Sequence, residues 1–340
     1  PPPPPPPPPP LDNLRRQRQM CIRDSTDFSL FHTDFRRPGS ALPSSRTTRP
    51  TTRYLGREVP ATVRAADRDQ LVPQPAHWPL VFMLVLTQAG IGLIGASAMA
   101  GIPAAPAQLL LGTLLFNLGM FAAIFHLGRP LKAWRFFLGL RTSWLSREIL
   151  AFSLFAPAPL LLIGLPLLPE SPFQENLLFW TSQLALPAGL VAVFTSVMIY
   201  ADTRRSLWRL PFTATRFFGT TFSLLLLGLS VSLPVLRPLA ALAIAAKCLP
   251  ELHLLGLALK DGGWTPDRHS GQLLLGPLQK PTLWRFGLAA ASAALVLVSP
   301  WLALPLLLAS EVLERQLFFQ SVHAPKMPGN FGPAAPAAAP

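Results

Sequence analysis

A histidine and a glutamate lie at opposite ends of one loop, where chemistry on a membrane-dissolved molecule is feasible. His126 ends an apolar stretch of about twenty residues, roughly the length that spans a bilayer, and Glu148 opens the next. Imidazole titrates near neutral pH, and beside a carboxylate it can accept and pass on protons. Oxidation of a lipid-soluble quinol releases electrons and protons together and therefore needs such groups at a membrane boundary. The pair is a candidate quinol site.

Each of the two residues also has a simpler explanation. A histidine at the membrane interface can cap a helix or bind a lipid headgroup. Glu148 follows Ser146, a possible N-cap, and a carboxylate in a first helical turn favours the helix dipole.

Composition indicates a membrane protein. Of the 340 residues, 50% are hydrophobic and 13% are charged, whereas soluble domains carry about 25% charged residues. The apolar residues form eight long blocks, which predicts an all-α, polytopic membrane protein with a bundle of eight transmembrane helices. These blocks cover about 80–99, 106–127, 148–168, 177–200, 217–233, 238–259, 283–298 and 301–319.

The net charge is +13, and after the first apolar block thirteen basic residues lie in alternate loops. This pattern favours basic loops on the cytoplasmic side and, with eight helices, both termini there as well. It does not favour nucleic-acid binding, since no soluble basic domain is present. The opposite face has Arg237 as its basic residue. The basic loops contain Arg129, Lys132, Arg135, Arg141 and Arg147, then Arg204, Arg205, Arg209 and Arg216, then Lys260, Arg268, Lys280 and Arg285.

The loop after the second block offers several roles for its cations. Arg129, Lys132, Arg135, Arg141 and Arg147 can dock a partner subunit, hold anionic membrane lipid, or simply set topology.

Charged residues also occur inside the apolar blocks. Lys247 and Glu251 lie four apart on one helical face, with Pro250 between them and His253 nearby. A charge at mid-bilayer costs about 2.5–3.5 kcal/mol, so these residues are expected to form an ion pair or a proton path. The same two alternatives apply to a group in the last block, which could instead lie close enough to the cytoplasm for solvation: Glu311, Glu314 and Arg315.

Metal and haem cofactors are not expected in this chain. The two cysteines, Cys21 and Cys248, are too few for an iron–sulfur cluster, which needs about four thiolates. A transmembrane haem needs two facing histidines, and His126 and His253 are the candidates at or within the helices, so one haem is an alternative that the residues leave open.

The ends of the chain are predicted to lie outside the bundle. Residues 1–25, which begin with a proline run, are interpreted as low-complexity sequence from truncation or assembly. Residues 26–76 are polar, without helical or strand periodicity, and are expected to be an extended or disordered tail. The anchor domain is expected at 77–322, with a flexible tail at 323–340.

The loop residues resemble the membrane anchor subunit of dimethyl sulfoxide reductase. The resemblance covers about 77–330 and rests on a His-Leu-Gly-x-Pro motif at His126 with Glu148 at matched spacing. Supporting stretches are 77–81, 199–205, 314–319 and 326–329.

The resemblance implies an eight-helix, haem-free anchor in a bacterial inner membrane. Such an anchor oxidises menaquinol and passes electrons to a four-cluster iron–sulfur subunit and then to a molybdopterin catalytic subunit. His126 and Glu148 match the family's quinol-site residues. The segment 47–54 faintly resembles the end of the iron–sulfur subunit, which suggests a remnant of a fused subunit in 26–76.

Two other functions remain open from the residues. A secondary transporter would contain inverted repeats and broken helices near the midplane, and the third and sixth blocks contain prolines. A cytochrome-b-type anchor would oxidise quinol through haem.

Overall fold

The computed structural model describes residues 68–101, 105–125, 134, 136 and 138–324, together with the backbone of His32–Asp34 and Arg53–Leu55. The chain divides into two compact units. In the smaller unit, strands β1 (His32–Asp34) and β2 (Arg53–Leu55) pair antiparallel, with Thr33 opposite Tyr54. Both strands lie in the segment 26–76, for which the sequence predicts an extended or disordered tail.

The larger unit contains Gln70–His323 and is helical throughout its described part. Short 3₁₀ turns at Leu165–Leu167, Ser206–Trp208 and Pro234–Leu236 connect some of the helices. The α-helices are α1 (Trp78–Ala100), α2 (Pro106–Ile124), α3 (Trp144–Phe155), α4 (Pro157–Gly164), α5 (Pro172–Ala201), α6 (Leu210–Ser232), α7 (Arg237–Ala246), α8 (Leu249–Leu259), α9 (Pro266–Leu275), α10 (Gln279–Val296) and α11 (Pro300–Gln320).

The all-α polytopic class is confirmed, whereas the number of spans is not. Within the described ranges, six helices or helix pairs are long and apolar enough to cross a membrane: Trp78–Ala100, Pro106–Ile124, Trp144–Leu167, Pro172–Ala201, Leu210–Ser232 and Pro234–Leu259. The last two expected spans correspond to α10 and α11, which pack against each other. Both contain charged residues, including Arg285 and Glu311, which lower their apolar character. Eight spans therefore stay a prediction.

Helix α1 lies at the centre of the bundle, because its small residues allow close approach on several sides. A Cβ built on Gly90 would lie 2.6 Å from the Gly112 carbonyl oxygen of α2, and one on Gly92 would collide with the Thr221 carbonyl oxygen of α6. Small residues in membrane helices permit this kind of packing. These glycines therefore mark close contacts of α1 with α2 and α6.

The start of α3 differs from the expectation. The helix begins at Trp144, and its N-cap is Ser143, whose hydroxyl accepts a hydrogen bond from the Ser146 amide at 3.4 Å. Ser146 is therefore not the N-cap, and Glu148 lies in the second turn rather than the first. The helix-dipole explanation for Glu148 is weaker at this distance from the terminus.

The sixth apolar block forms two helices that are separated just before Pro250. Helix α7 ends at Ala246, α8 begins at Leu249, and Pro250 lies in the first turn of α8. Proline has no N–H to continue the hydrogen-bond ladder. Lys247 therefore lies in the short junction between the two helices.

Candidate functional site

Glu148 lies inside the bundle, with 5% of its surface exposed. Its carboxylate accepts a hydrogen bond from the Ser196 hydroxyl of α5, and Ser196 is fully buried. A buried carboxylate is costly unless it is hydrogen-bonded or shares a proton. Glu148 is therefore a buried carboxylate with a hydrogen-bond partner inside the bundle, and it does not lie at a solvated helix terminus.

Tyr200 extends this site by one helical turn of α5. It is four residues after Ser196 in the same helix, so the two share a face. Its ring packs edge-on against four other buried rings with centroid distances of 5.3–5.7 Å, namely Trp208, Phe217, Phe318 and Phe319. These rings shield one side of the site from water and fix Tyr200 in place.

The other half of the predicted pair lies outside the described residues. This applies to His126 and to three of the proposed docking cations, Arg129, Lys132 and Arg135. The last described residue before His126 is Phe125, which is exposed at the end of α2.

The two remaining docking candidates have different surroundings. Arg141 is exposed. Arg147 donates from Nε to the Leu140 carbonyl and from Nη2 to the Arg141 carbonyl, both at 2.9 Å, and its guanidinium lies 4.2 Å from the Trp144 ring centroid. Arg147 thus fixes the turn that leads into α3 and positions Glu148 one residue later.

A second group of charged side chains lies deep in the bundle, and each of its members is at most 3% exposed. We call it the buried charge cluster. Its residues come from α6, the α7–α8 junction, α8, α10 and α11, and they are Arg216, Lys247, Glu251, Arg285, Glu311, Glu314 and Arg315.

Ion pairs connect the cluster across four elements. Lys247 pairs with Glu311 and lies 3.6 Å from a Glu314 oxygen. Arg216 Nε lies 3.2 Å from both Glu251 Oε1 and Glu314 Oε1. Lys247 and Glu251 therefore do not pair with each other, although the sequence suggested this. Lys247 pairs with Glu311, and Glu251 pairs with Arg216.

The remaining two arginines close the cluster. Arg285 Nη2 is 4.0 Å from Glu251 Oε2, and its Nη1 donates to the Ser310 hydroxyl at 2.6 Å. Arg315 Nη2 is 3.5 Å from Glu314 Oε2 and donates to Gln88 Oε1 of α1 at 2.9 Å. The cluster therefore ties α1 to α11.

Two expectations about these residues are corrected. His253 is exposed and packs edge-on against Phe212 at 5.8 Å, so it does not join the cluster. Glu311, Glu314 and Arg315 are fully buried, so solvation near the membrane surface does not stabilise them.

Comparison with known proteins identifies the family. Residues 75–264 match the family model described as "DMSO reductase anchor subunit (DmsC)". This match covers more than half of the chain. The protein belongs to the DmsC family.

Two curated relatives are similar to this DmsC-family chain. A sulfite dehydrogenase subunit of Allochromatium vinosum is 32% identical over 165 residues, covering 41% of this chain and 49% of the relative. The "Anaerobic dimethyl sulfoxide reductase chain YnfH" of Escherichia coli K12 is 27% identical over 202 residues, covering 54% of this chain and 69% of the relative. The chain thus spans about half the length of the first relative.

The DmsC match includes Glu148, Lys247 and Glu251 but ends before α10 and α11. The identification of a membrane anchor subunit therefore rests on 75–264, while four of the seven residues of the buried charge cluster lie beyond the matched range. The DmsC assignment favours an anchor over a secondary transporter.

Sequence reasoning missed several residues of these two groups. Arg216 and Arg285 count among the loop cations in the sequence, yet they lie inside α6 and α10. Apolar residues on both sides of each arginine are a signal that could have placed them in helices. Ser196 and Tyr200 carry a weaker signal, which is their four-residue spacing near the end of a long apolar block.

Proposed function

We propose that this anchor binds and oxidises menaquinol at a site formed by His126 and Glu148, within a molybdoenzyme complex of the DMSO reductase type. The observation that carries the proposal is the buried carboxylate of Glu148, which accepts a hydrogen bond from Ser196 and lies in the helix that follows the His126 loop in sequence. Together with the DmsC-family match, this placement favours chemistry over a purely structural role.

The proposed roles follow from the acid–base properties of the two groups. His126 accepts a hydrogen bond, and then a proton, from one quinol hydroxyl. Glu148 accepts the second proton or passes on the first. Oxidation of the quinol to the quinone releases two electrons and two protons, and the electrons leave to an iron–sulfur cluster on a partner subunit.

The proposed partners are a four-cluster iron–sulfur subunit and, beyond it, a molybdopterin catalytic subunit. In this proposal the exposed cation Arg141 contributes to docking. The sequence adds Arg129, Lys132 and Arg135 in the same loop, outside the described residues. In this arrangement the basic loops and both termini lie on the cytoplasmic side of a bacterial inner membrane.

The test is the variant His126→Ala in the assembled complex. A positioned proton acceptor contributes about 10²–10⁴-fold to rate, so quinol-dependent reductase activity should fall by at least about 100-fold. Activity with a soluble electron donor that feeds the partner subunits directly should be unchanged. The matched control is His253→Ala, because His253 is exposed and lies outside both groups. Wild-type quinol-dependent activity in His126→Ala contradicts the proposal.

A second direction of electron flow is favoured by one comparison. The relative with the higher identity is named as part of a sulfite dehydrogenase, and a dehydrogenase delivers electrons instead of consuming them. At the same site, menaquinone would then receive two electrons and two protons. Assays of the complex with menaquinol plus an oxidant, and with menaquinone plus sulfite, distinguish the two directions by which reaction proceeds.

A further inference from the structure

Helix α2 has one packed side and one exposed side. The packed side faces α1, where a Cβ on Gly112 would lie 3.0 Å from the Gly90 carbonyl oxygen, and it contacts α3 through Phe116. The exposed side is largely apolar and contains Leu110, Leu114, Leu118, Phe121 and Ile124. Lipid tails can cover such residues, so their exposure alone does not indicate a protein partner.

Asn117 is a polar residue within this exposed face. The turns of α2 on either side of it meet α1 at Gly90 and Thr87, which lie near the middle of Trp78–Ala100. Because α1 has the length of a bilayer span, the Asn117 amide lies near the centre of the hydrocarbon. Polar side chains at this depth normally face other helices of a bundle.

The Asn117 amide is incompletely hydrogen-bonded within the described part of the chain. Its Nδ2 donates to the Thr113 carbonyl at 2.8 Å, which leaves a second N–H and the Oδ1 oxygen without a bond to these residues. Hydrocarbon offers neither donors nor acceptors, so an unsatisfied polar group there is costly. The amide therefore favours contact with another polar group inside the membrane.

A second copy of the same chain supplies a matching amide. Two copies that insert with the same topology have parallel α2 helices, and a two-fold axis along the membrane normal brings identical faces together. An amide both donates and accepts, so Asn117 can pair reciprocally with Asn117 of the second copy. Asparagine side chains form such hydrogen bonds between helices in membranes.

The exposed face also has the spacing that a pair of helices needs. Intervals of four and three residues separate Leu110, Leu114, Asn117, Phe121 and Ile124. This repeat is typical of helices that cross at about 20°. The face extends about 21 Å along α2 at 1.5 Å per residue, which is most of the hydrocarbon thickness. A single asparagine in such a repeat selects one register, because the two amides must meet.

We propose that two copies of this chain associate in the membrane through the exposed face of α2, with the two Asn117 amides hydrogen-bonded to each other. The inference does not depend on quinol chemistry, because it rests on packing and hydrogen bonding alone. In the competing arrangement, lipid covers the face and Asn117 is bonded only to Thr113. A helix of a different protein is the other alternative occupant.

Cysteine cross-linking tests whether the two α2 faces meet. The whole chain, carrying Cys21→Ser and Leu114→Cys, is placed in lipid vesicles at increasing dilution with lipid and is then oxidised. In a parallel two-fold pair the cysteines at 114 approach each other and form a disulfide between the copies. The matched control is Leu242→Cys, because Leu242 is a comparably exposed leucine of α7. Cross-linking at 114 should exceed cross-linking at 242 at least tenfold.

The variant Asn117→Leu tests the hydrogen bond, and Asn117→Gln is the control that keeps an amide. Dimer dissociation is measured by energy transfer between two labelled copies at varied dilution in lipid. Asn117→Leu should raise the Kd at least about fivefold, the low end of the effect of such bonds in membranes, and Asn117→Gln should raise it less. The unfolding temperature in mild detergent should not change, since position 117 faces outward.

Monomers at every dilution would overturn the inference, and so would equal cross-linking at 114 and 242. A dimer that Asn117→Leu does not weaken also overturns it. In the assembled complex, capture of a different subunit by a photoreactive group at 114, in place of a second copy, shows that another protein occupies the face.

A lowered unfolding temperature of Asn117→Leu would mean that Asn117 stabilises its own bundle. Phe121→Ala then decides, because it removes an apolar side chain from the same face and leaves the amide in place. It should raise the Kd of the dimer at least about fivefold, and an unchanged Kd contradicts the proposal.

Discussion

At the residue scale, the meaning of Glu148 depends on where its helix begins. A carboxylate in a first turn stabilises a helix by about 0.3–1 kcal/mol and needs no further role. The N-cap at Ser143 places Glu148 beyond that turn, and its hydrogen bond with Ser196 directs it into the bundle. The helix dipole therefore does not account for its burial, whereas the proposed quinol site requires an ionisable group at this position.

The variant Glu148→Gln separates the two explanations. Glutamine keeps the size of the side chain and can still accept a hydrogen bond from Ser196, but it cannot take up a proton. Quinol-dependent activity should fall by about 100-fold or more, with little change in the free energy of unfolding. The measurements are steady-state quinol oxidation and thermal unfolding of the purified complex.

The control for this variant is Glu175→Gln, since Glu175 lies in the first turn of α5 and is exposed. It should affect stability slightly and activity not at all. Equal activity of Glu148→Gln and the wild type would mean that the carboxylate is structural.

At the scale of elements, apolar length predicted most helices but not their interruptions or their charged residues. Prolines indicated the break near Pro250, because proline removes a backbone donor. The partners of Lys247 were not predictable, since ion pairs between α7–α8 and α11 depend on tertiary packing that no local pattern encodes. For the same reason, the sequence alone places Arg216 and Arg285 among the loop cations, and only the packed bundle shows them inside helices.

Helix α1 provides a test of packing that is independent of chemistry. In Gly90→Ala, the new methyl group would meet the Gly112 carbonyl oxygen and the Phe116 backbone, so α1 and α2 must separate. Such overpacking costs about 1–3 kcal/mol. The measurement is the unfolding temperature of the purified protein in mild detergent.

The matched control is Gly256→Ala in α8, where a Cβ would meet nothing within 4 Å. This change should be neutral or slightly stabilising, because alanine favours helix over glycine by about 1 kcal/mol. If both variants unfold at the wild-type temperature, the close approach of α1 and α2 is not important for stability.

At the scale of the whole molecule, the distribution of cations predicts how the protein is oriented in the membrane. The fold shows which of these cations lie in loops and can determine that orientation. Arg216 and Arg285 are buried in helices and no longer count as loop charges. The exposed cations Arg141, Arg204 and Lys260 still lie on the same set of loops. The prediction of cytoplasmic basic loops therefore rests on fewer residues than the sequence suggested. The predicted side of the membrane is nevertheless the same.

The orientation is testable by labelling single cysteines in intact cells. In a Cys21→Ser background, Leu138→Cys places a thiol on the basic loop between α2 and α3, and Val235→Cys places one in the turn between α6 and α7. Both positions are exposed, at 75% and 81%, whereas the native Cys248 is buried. A membrane-impermeant thiol reagent should label the cysteine at 235 in intact cells and the one at 138 only after permeabilisation. The reverse pattern would put the basic loops, the quinol-site loop and the docking surface for the partner subunits on the outer face of the membrane.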